Sequence, residues 1–275
     1  MHHSLAQTLR ILGRRILYRI PSVTKLPWGD RWIARNDVMD ELLRSGEGFE
    51  SAEQKFLLKF LRKGMIVFDI GAHHGLYTLL CARMVGSEGK VVAFEPSPRE
   101  RERLEANIRL NGYRHVVIEP VALSASKGSG VLHVCLGRET GCNSLRPPSV
   151  DEATETVHVP LSSIDDYVSS ENFPAVDFIK LDVEGAELDV LSGAGAFLHR
   201  TRRPVFLVEL ADIRTLPWGY RSNQIFDLLF SSGFHWFSVT PDGFLREAGR
   251  KDTFHENLVA VPNEMLSSMS SMRKG

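Results

Sequence analysis

Residues 65–82 read MIVFDIGAHHGLYTLLCA, and the change of texture inside them decides the fold. Ile66–Ile70 is an apolar run of strand length; Gly71 and Gly75 bracket a polar turn, and from Gly75 to Val85 the apolar residues recur with helical spacing. Strand, glycine turn and helix make the first half of a βαβ unit, and a parallel sheet follows from repeating it. Working outward, further strands are predicted over Lys90–Glu95, His115–Pro120, Asp177–Asp182, Val205–Leu210, His235–Val239 and Leu258–Val261, with helices over Pro98–Leu110, Ala186–Leu191 and Ser222–Ser231. The reading is an α/β fold with a doubly wound, mostly parallel, seven-stranded, Rossmann-like sheet. Gly130–Leu136 and Thr156–Pro160 read as an inserted hairpin over the site. Residues 1–62, broken by Pro21, Pro27 and Ser45–Gly48, read as an N-terminal helical cap; residues 63–263 read as the catalytic domain and residues 264–275 as a tail without order.

Thirty-three basic against thirty-four acidic residues leave a net charge of −1 among 275 residues, so no global field draws this chain to nucleic acid or to an anionic bilayer. Cys81, Cys135 and Cys142 are too few and too scattered for a disulfide framework or a zinc site, which points to the cytoplasm. No run of about 18 apolar residues is present to span a membrane. Leu5–Ile20 places six apolar residues and four arginines at amphipathic helical spacing. Such a helix packs on its own domain or on a second subunit of a homo-oligomer, or makes peripheral membrane contact; it lacks the unbroken apolar core of a secretory signal.

In an open parallel sheet the ligand lies beyond the carboxyl ends of the strands, at the switch point. The first strand ends at Asp69 and Gly71, with Asp69 placed to orient the loop or to hold a ligand ammonium. The second, VVAFEPSP, ends at Glu95, where an acid accepts two hydrogen bonds from ribose hydroxyls. Nicotinamide enzymes carry an acid there too, but GAHHG lacks the Gly-x-Gly-x-x-Gly spacing that seats a pyrophosphate on a helix N-terminus. The looser loop suits S-adenosylmethionine, which has no pyrophosphate. Ala122 and Leu123, after the third strand, offer backbone groups and an apolar wall to an adenine.

FDIGAHHGLYTLLCA, VVAFEPSP, VALS, VPLSSIDDY, IKLDVEGAELDVLSGA and FLVEL, in that order over about residues 50–240, resemble the FkbM family of methyltransferases, most specifically at Ile179–Ala194. The resemblance implies a class I methyltransferase fold, S-adenosylmethionine as donor, and a sugar or polyketide-type hydroxyl as acceptor. It makes Asp69, Gly71, Gly75 and Glu95 cofactor contacts and puts Asp182 and Glu184 in the active centre. Where family members often carry a small or amide residue and then an apolar one, this chain has His73 and His74. His73 either touches the donor's carboxylate or caps the helix.

Methyl transfer to an alcohol needs alignment and a place for the proton. Asp182, Glu184 and Glu209 at neighbouring strand ends are the candidates, either as a general base or as ligands of a divalent cation such as magnesium. Glu187 and Asp189 read as a solvated helix face, and Lys180 as a solvated strand flank. Trp218, in LPWGYRSN, and the segment GCNSLRPP (141–148) are candidate acceptor loops. The alternatives are an amine or carboxylate acceptor, or a protein that binds S-adenosylmethionine without turnover.

Overall fold

The computed structural model describes residues 22–35, 37–44, 48–148 and 150–274. All seven predicted strands form: β3 (Ile66–Ile70), β4 (Lys90–Phe94), β5 (Val116–Glu119), β9 (Phe178–Leu181), β10 (Val205–Ala211), β11 (Phe234–Val239) and β13 (His255–Pro262). An eighth, β12 (Leu245–Glu247), corrects the expected count, and the order is β12-β11-β13-β10-β9-β3-β4-β5. The five strands from β5 to β10 are parallel. β13 returns between β10 and β11 and pairs antiparallel with both, and β12 is antiparallel on β11, so the sheet is mixed. From β3 the chain winds outward to β5, then returns to β9 on the other side. That reversal is the switch point where a cleft opens.

Alternate residues of each strand feed two cores. Val67, Phe178, Leu207 and Val259 face one side, with α2 (Ser51–Phe60) and α3 (Leu76–Val85). Phe68, Ile179, Val208 and Leu258 face the other, with α5 (Ile164–Ser170), α6 (Glu187–Ser192) and α8 (Asn223–Ser231). α4 (Pro98–Asn111) follows β4 and packs Leu104 and Ile108 into the first core. The expected insertion is present: β7 (Gly128–Cys135) pairs antiparallel with β8 (Thr154–Ser162), and β6 (Ala122–Leu123) joins β8 to make a small separate sheet.

Two ends of the chain depart from expectation. Residues 22–34 of the segment read as helical form a hairpin of β1 (Ser22–Lys25) and β2 (Arg31–Ala34), closed by the Leu26 N–H donating to Asp30 O at 2.8 Å. The turn chemistry of LPWGD outweighs the helical periodicity around it. Among the described residues, helix begins with α1 (Val38–Arg44) and α2. The basic amphipathic stretch Leu5–Ile20 lies outside the described residues. In the segment read as the tail, Met265, Leu266, Met269 and Met272 pack against the first core, and Arg273 bridges Leu245 on the sheet edge. Its serine-rich composition hides an apolar residue on each turn. No helix among the described residues is long and apolar enough to cross a membrane.

Candidate functional site

Beyond the carboxyl ends of β3, β4, β9 and β10 lies a cleft of about 320 Å³, walled by the α1 segment on one side and by the β7–β8 connection on the other. The turn after β3 passes so close to the turn after β9 that a Cβ on Gly71 (φ +85°) would sit 1.8 Å from the backbone oxygen of Asp182. Gly71 and Ala72 both donate their N–H to Phe94 O at 3.1 Å, which binds the turn to β4. Only glycine allows this double approach.

Glu95 lies at the rim of this turn. Its Oε2 accepts the His73 N–H at 2.7 Å and its Oε1 the Ser97 N–H at 2.9 Å, so its carboxylate is aimed before any ligand arrives. Burial pushes it up to about 8 against the pull of those two donors. His73, at φ +51°, presents its ring to Thr140 Oγ1 at 3.0 Å and stacks on His74 at 3.6 Å. Burial, then the neighbouring His74, holds it well below the usual histidine range, so it meets the cleft as a neutral ring. His74 is enclosed by Asp37, Glu100 and Arg103.

Of the predicted donor contacts, Gly71, His73, Glu95, Ala122 and Asp182 line the cleft, with Leu123 beside them. Asp69 and Gly75 do not. Gly75 starts α3 behind the turn, and Asp69 is fully buried beneath it, its Oδ2 accepting the Thr78 hydroxyl at 2.5 Å.

Asp182, Glu184 and Glu209 also line the cleft. Lys180 and Glu187 depart from their solvated readings. Lys180 is buried: alternation turns it inward, beneath the Tyr77 ring, where its Nζ donates to Asp182 Oδ2 at 2.9 Å. Burial works to lower its pKa, but Asp182, Asp69 and Glu50 outweigh burial and hold it raised. Glu187 is buried because its Oε1 turns back to accept the N–H groups of Val183 and Gly185, closing the turn after β9. Glu184, at φ +56°, pairs with Arg214 Nε at 2.8 Å. Burial and then Asp182 push Glu184 up to about 8, opposed by Arg214. Burial and then the charges of Asp182, Glu184 and Glu187 push Glu209 well above the carboxylate range.

The carboxylates of Asp182, Glu187 and Glu209 lie within 4.8 Å of one another, a spacing that can hold a metal ion, whereas Glu184 stands outside this group. The donors suit a cation poorly: Asp182 already accepts from Lys180, and Glu187 from two backbone N–H groups.

The two acceptor-loop candidates meet. The Arg146 guanidinium lies 4.8 Å over the Trp218 ring, and Trp218, Pro147, Pro148 and Ile213 surround a shallow groove beside Glu184.

Sequence reasoning missed Glu50, Tyr77, Arg214 and Asn257. Three of the four non-glycine residues with positive φ among the described residues, Glu50, His73 and Glu184, line the cleft. Such backbone costs on the order of 1–3 kcal/mol and concentrates at functional sites; nothing in residue type announces it.

The family model of the methyltransferase FkbM domain matches residues 69–235, more than half of the chain. Over an alignment 225 positions long, which covers 69% of this chain and 10% of the relative, the chain is 29% identical to the AMB antimetabolite synthetase AmbE of Pseudomonas aeruginosa. The hexuronic acid methyltransferase AglP of Haloferax volcanii is 29% identical over 147 residues, 50% of this chain and 54% of AglP. The chain thus spans a tenth to about half of the length of these relatives. Among solved structures, a methyltransferase FkbM from Methylobacillus flagellatus superposes with a TM-score of 0.45 at 17% identity, over 74% of this chain and 45% of that one.

Proposed function

This chain belongs to the FkbM methyltransferase family, and from that premise we propose that it moves a methyl group from S-adenosylmethionine to a hydroxyl of a sugar-type acceptor. The observation that carries the reading is that one cleft holds both halves of the chemistry: Glu95 and the Gly71 turn, and next to them the carboxylates of Asp182, Glu184 and Glu209. The hexuronic acid relative favours a sugar acceptor. The bound donor would supply an electrophilic methyl on a sulfonium. Glu95, aimed by His73 and Ser97 N–H, would receive the ribose hydroxyls, with Ala122 and Leu123 along the adenine. Asp182, held by Lys180, would orient the acceptor's hydroxyl. Glu209, which makes no ion pair among the described residues, would take its proton, with Glu184 pinned beside it by Arg214. No step is routed through a divalent cation, because its would-be ligands already serve other donors.

The first test is isothermal titration with S-adenosylhomocysteine. Wild type is expected to bind, and Glu95→Ala to bind roughly 10- to 100-fold more weakly, the cost of losing charge-assisted hydrogen bonds. Absence of binding by folded wild type at about millimolar ligand, roughly 4 kcal/mol of binding free energy, overturns the donor assignment.

The pH profile tests the proton acceptor. A carboxylate with a raised pKa is protonated, and useless as a base, until the pH climbs through that value. With Glu184 pushed up to about 8 and Glu209 raised beside it, kcat/KM for a sugar acceptor is expected to climb as pH rises over about one unit either side of that value. A flat profile over that range removes these carboxylates from proton transfer.

A further inference from the structure

Glu50 lies outside residues 69–235, just ahead of α2, yet lines the cleft. It stands at the N-cap of α2 with left-handed backbone (φ 46°, ψ 47°), but its side chain makes no cap hydrogen bond. Instead Oε2 accepts the Tyr77 hydroxyl at 2.6 Å and Oε1 accepts Asn257 Nδ2 at 2.7 Å. Both donors are neutral, so they aim the carboxylate without cancelling its charge, and each oxygen keeps a lone pair.

Its surroundings are short of positive charge. Asp69, Lys180, Glu209 and Asn257 project from the same sheet face as Val67, Phe178, Leu207 and Val259, because side chains alternate along each strand. Among the described residues, Lys180 is the cation that faces the carboxylates of Asp182, Asp69 and Glu50. Asp69 is sealed under the Gly71 turn, fully buried, and its Oδ1 has no hydrogen-bond partner among the described residues. The carboxylates left facing the cleft next to Tyr77 are Glu50 and Asp182, and Asp182 is already engaged by Lys180. An ammonium is a compact charge with three donors and binds best where fixed carboxylates exceed cations. Tyr77 sits in the first turn of α3, directly after the turn that Glu95 and Gly71 organise, so Glu50 belongs to the donor's end of the cleft. Glu184 and Arg214 mark the other end.

We propose that Glu50, contributed by a segment outside the family match, receives the α-ammonium of the donor's amino-acid tail, with Asp182 and Lys180 beneath it. The assignment rests on S-adenosylmethionine being the donor. It transfers to Glu50 the role that residue order alone suggests for Asp69.

The test is titration of the full chain with three probes: S-adenosylhomocysteine, its deaminated analogue, and methylthioadenosine, which lacks the amino-acid tail. Wild type is expected to prefer S-adenosylhomocysteine to the deaminated analogue by at least about tenfold. Glu50→Gln should bring the two within about twofold while binding methylthioadenosine as wild type does, which also reports an intact nucleoside site. Glu50→Asp, with the charge kept and the reach shortened, should fall between. A wild type without the preference, or an E50Q protein that keeps it, overturns the assignment. Failure of wild type to bind S-adenosylhomocysteine is a different result, which removes the donor reading itself.

Discussion

Gly71→Ala is expected to destabilise the protein by on the order of 3–4 kcal/mol and to leave no measurable binding of S-adenosylhomocysteine. A left-handed backbone costs an L-residue about 1–2 kcal/mol, and forcing a methyl into filled space costs typically about 1–3 kcal/mol more. Here the new Cβ would stand 1.8 Å from Asp182 O and 2.9 Å from Asp182 C, both backbone atoms, so no rotamer relieves the clash. The turn must lift from β9, and with it the Phe94 contacts and the His73 N–H that aims Glu95. Urea unfolding and titration read the two effects separately. A G71A protein unfolding within about 0.5 kcal/mol of wild type would mean that the two turns are not in contact.

Lys180→Met is expected to have the second largest effect, about 2–3 kcal/mol near pH 8. Removing one member of a buried ion pair typically costs about 3–5 kcal/mol, since the other is left uncompensated. The effect falls below that range because the Asp182 side chain is 26% exposed and water takes up part of the loss. Burial already raises Asp69 and Glu50 against the lowering influence of Lys180; without that influence they rise further. An acid whose folded pKa lies above its unfolded value binds its proton more tightly in the fold, so the variant gains stability as pH falls through that raised value. The gap between wild type and K180M should therefore be wider at alkaline than at acid pH. A gap that is small at both, or independent of pH, would place Lys180 outside the carboxylate network.

The strands were legible because buried parallel strands are short apolar runs punctuated by glycine, and β3, β4, β9 and β10 fall within a residue of where these runs end. The wall of the cleft was legible for the same reason: a cleft at the switch point is lined by whatever follows those strands, so Gly71, Glu95 and Asp182 could be named from position. Position could not say which way a side chain turns. Asp69 and Glu95 both stand at a strand's carboxyl end, yet Asp69 is sealed under the turn while Glu95 faces the cleft. Lys180 and Glu187, charged residues in an acidic stretch, are buried because partners from other elements satisfy them.

What the amino-acid sequence determined by itself is local and periodic: the run of strands and helices, the glycine turn after the first strand of the parallel sheet, and the acids at the strand ends. What only the tertiary structure decided is long-range. It inserted β13 between β10 and β11, folded the methionine-bearing tail onto the first core, and brought Glu50, Tyr77 and Asn257, far apart in the chain, within hydrogen-bond reach. The physical reason is that apolar patterning reports which residues leave water, whereas pairing of buried charges depends on where distant elements come to rest.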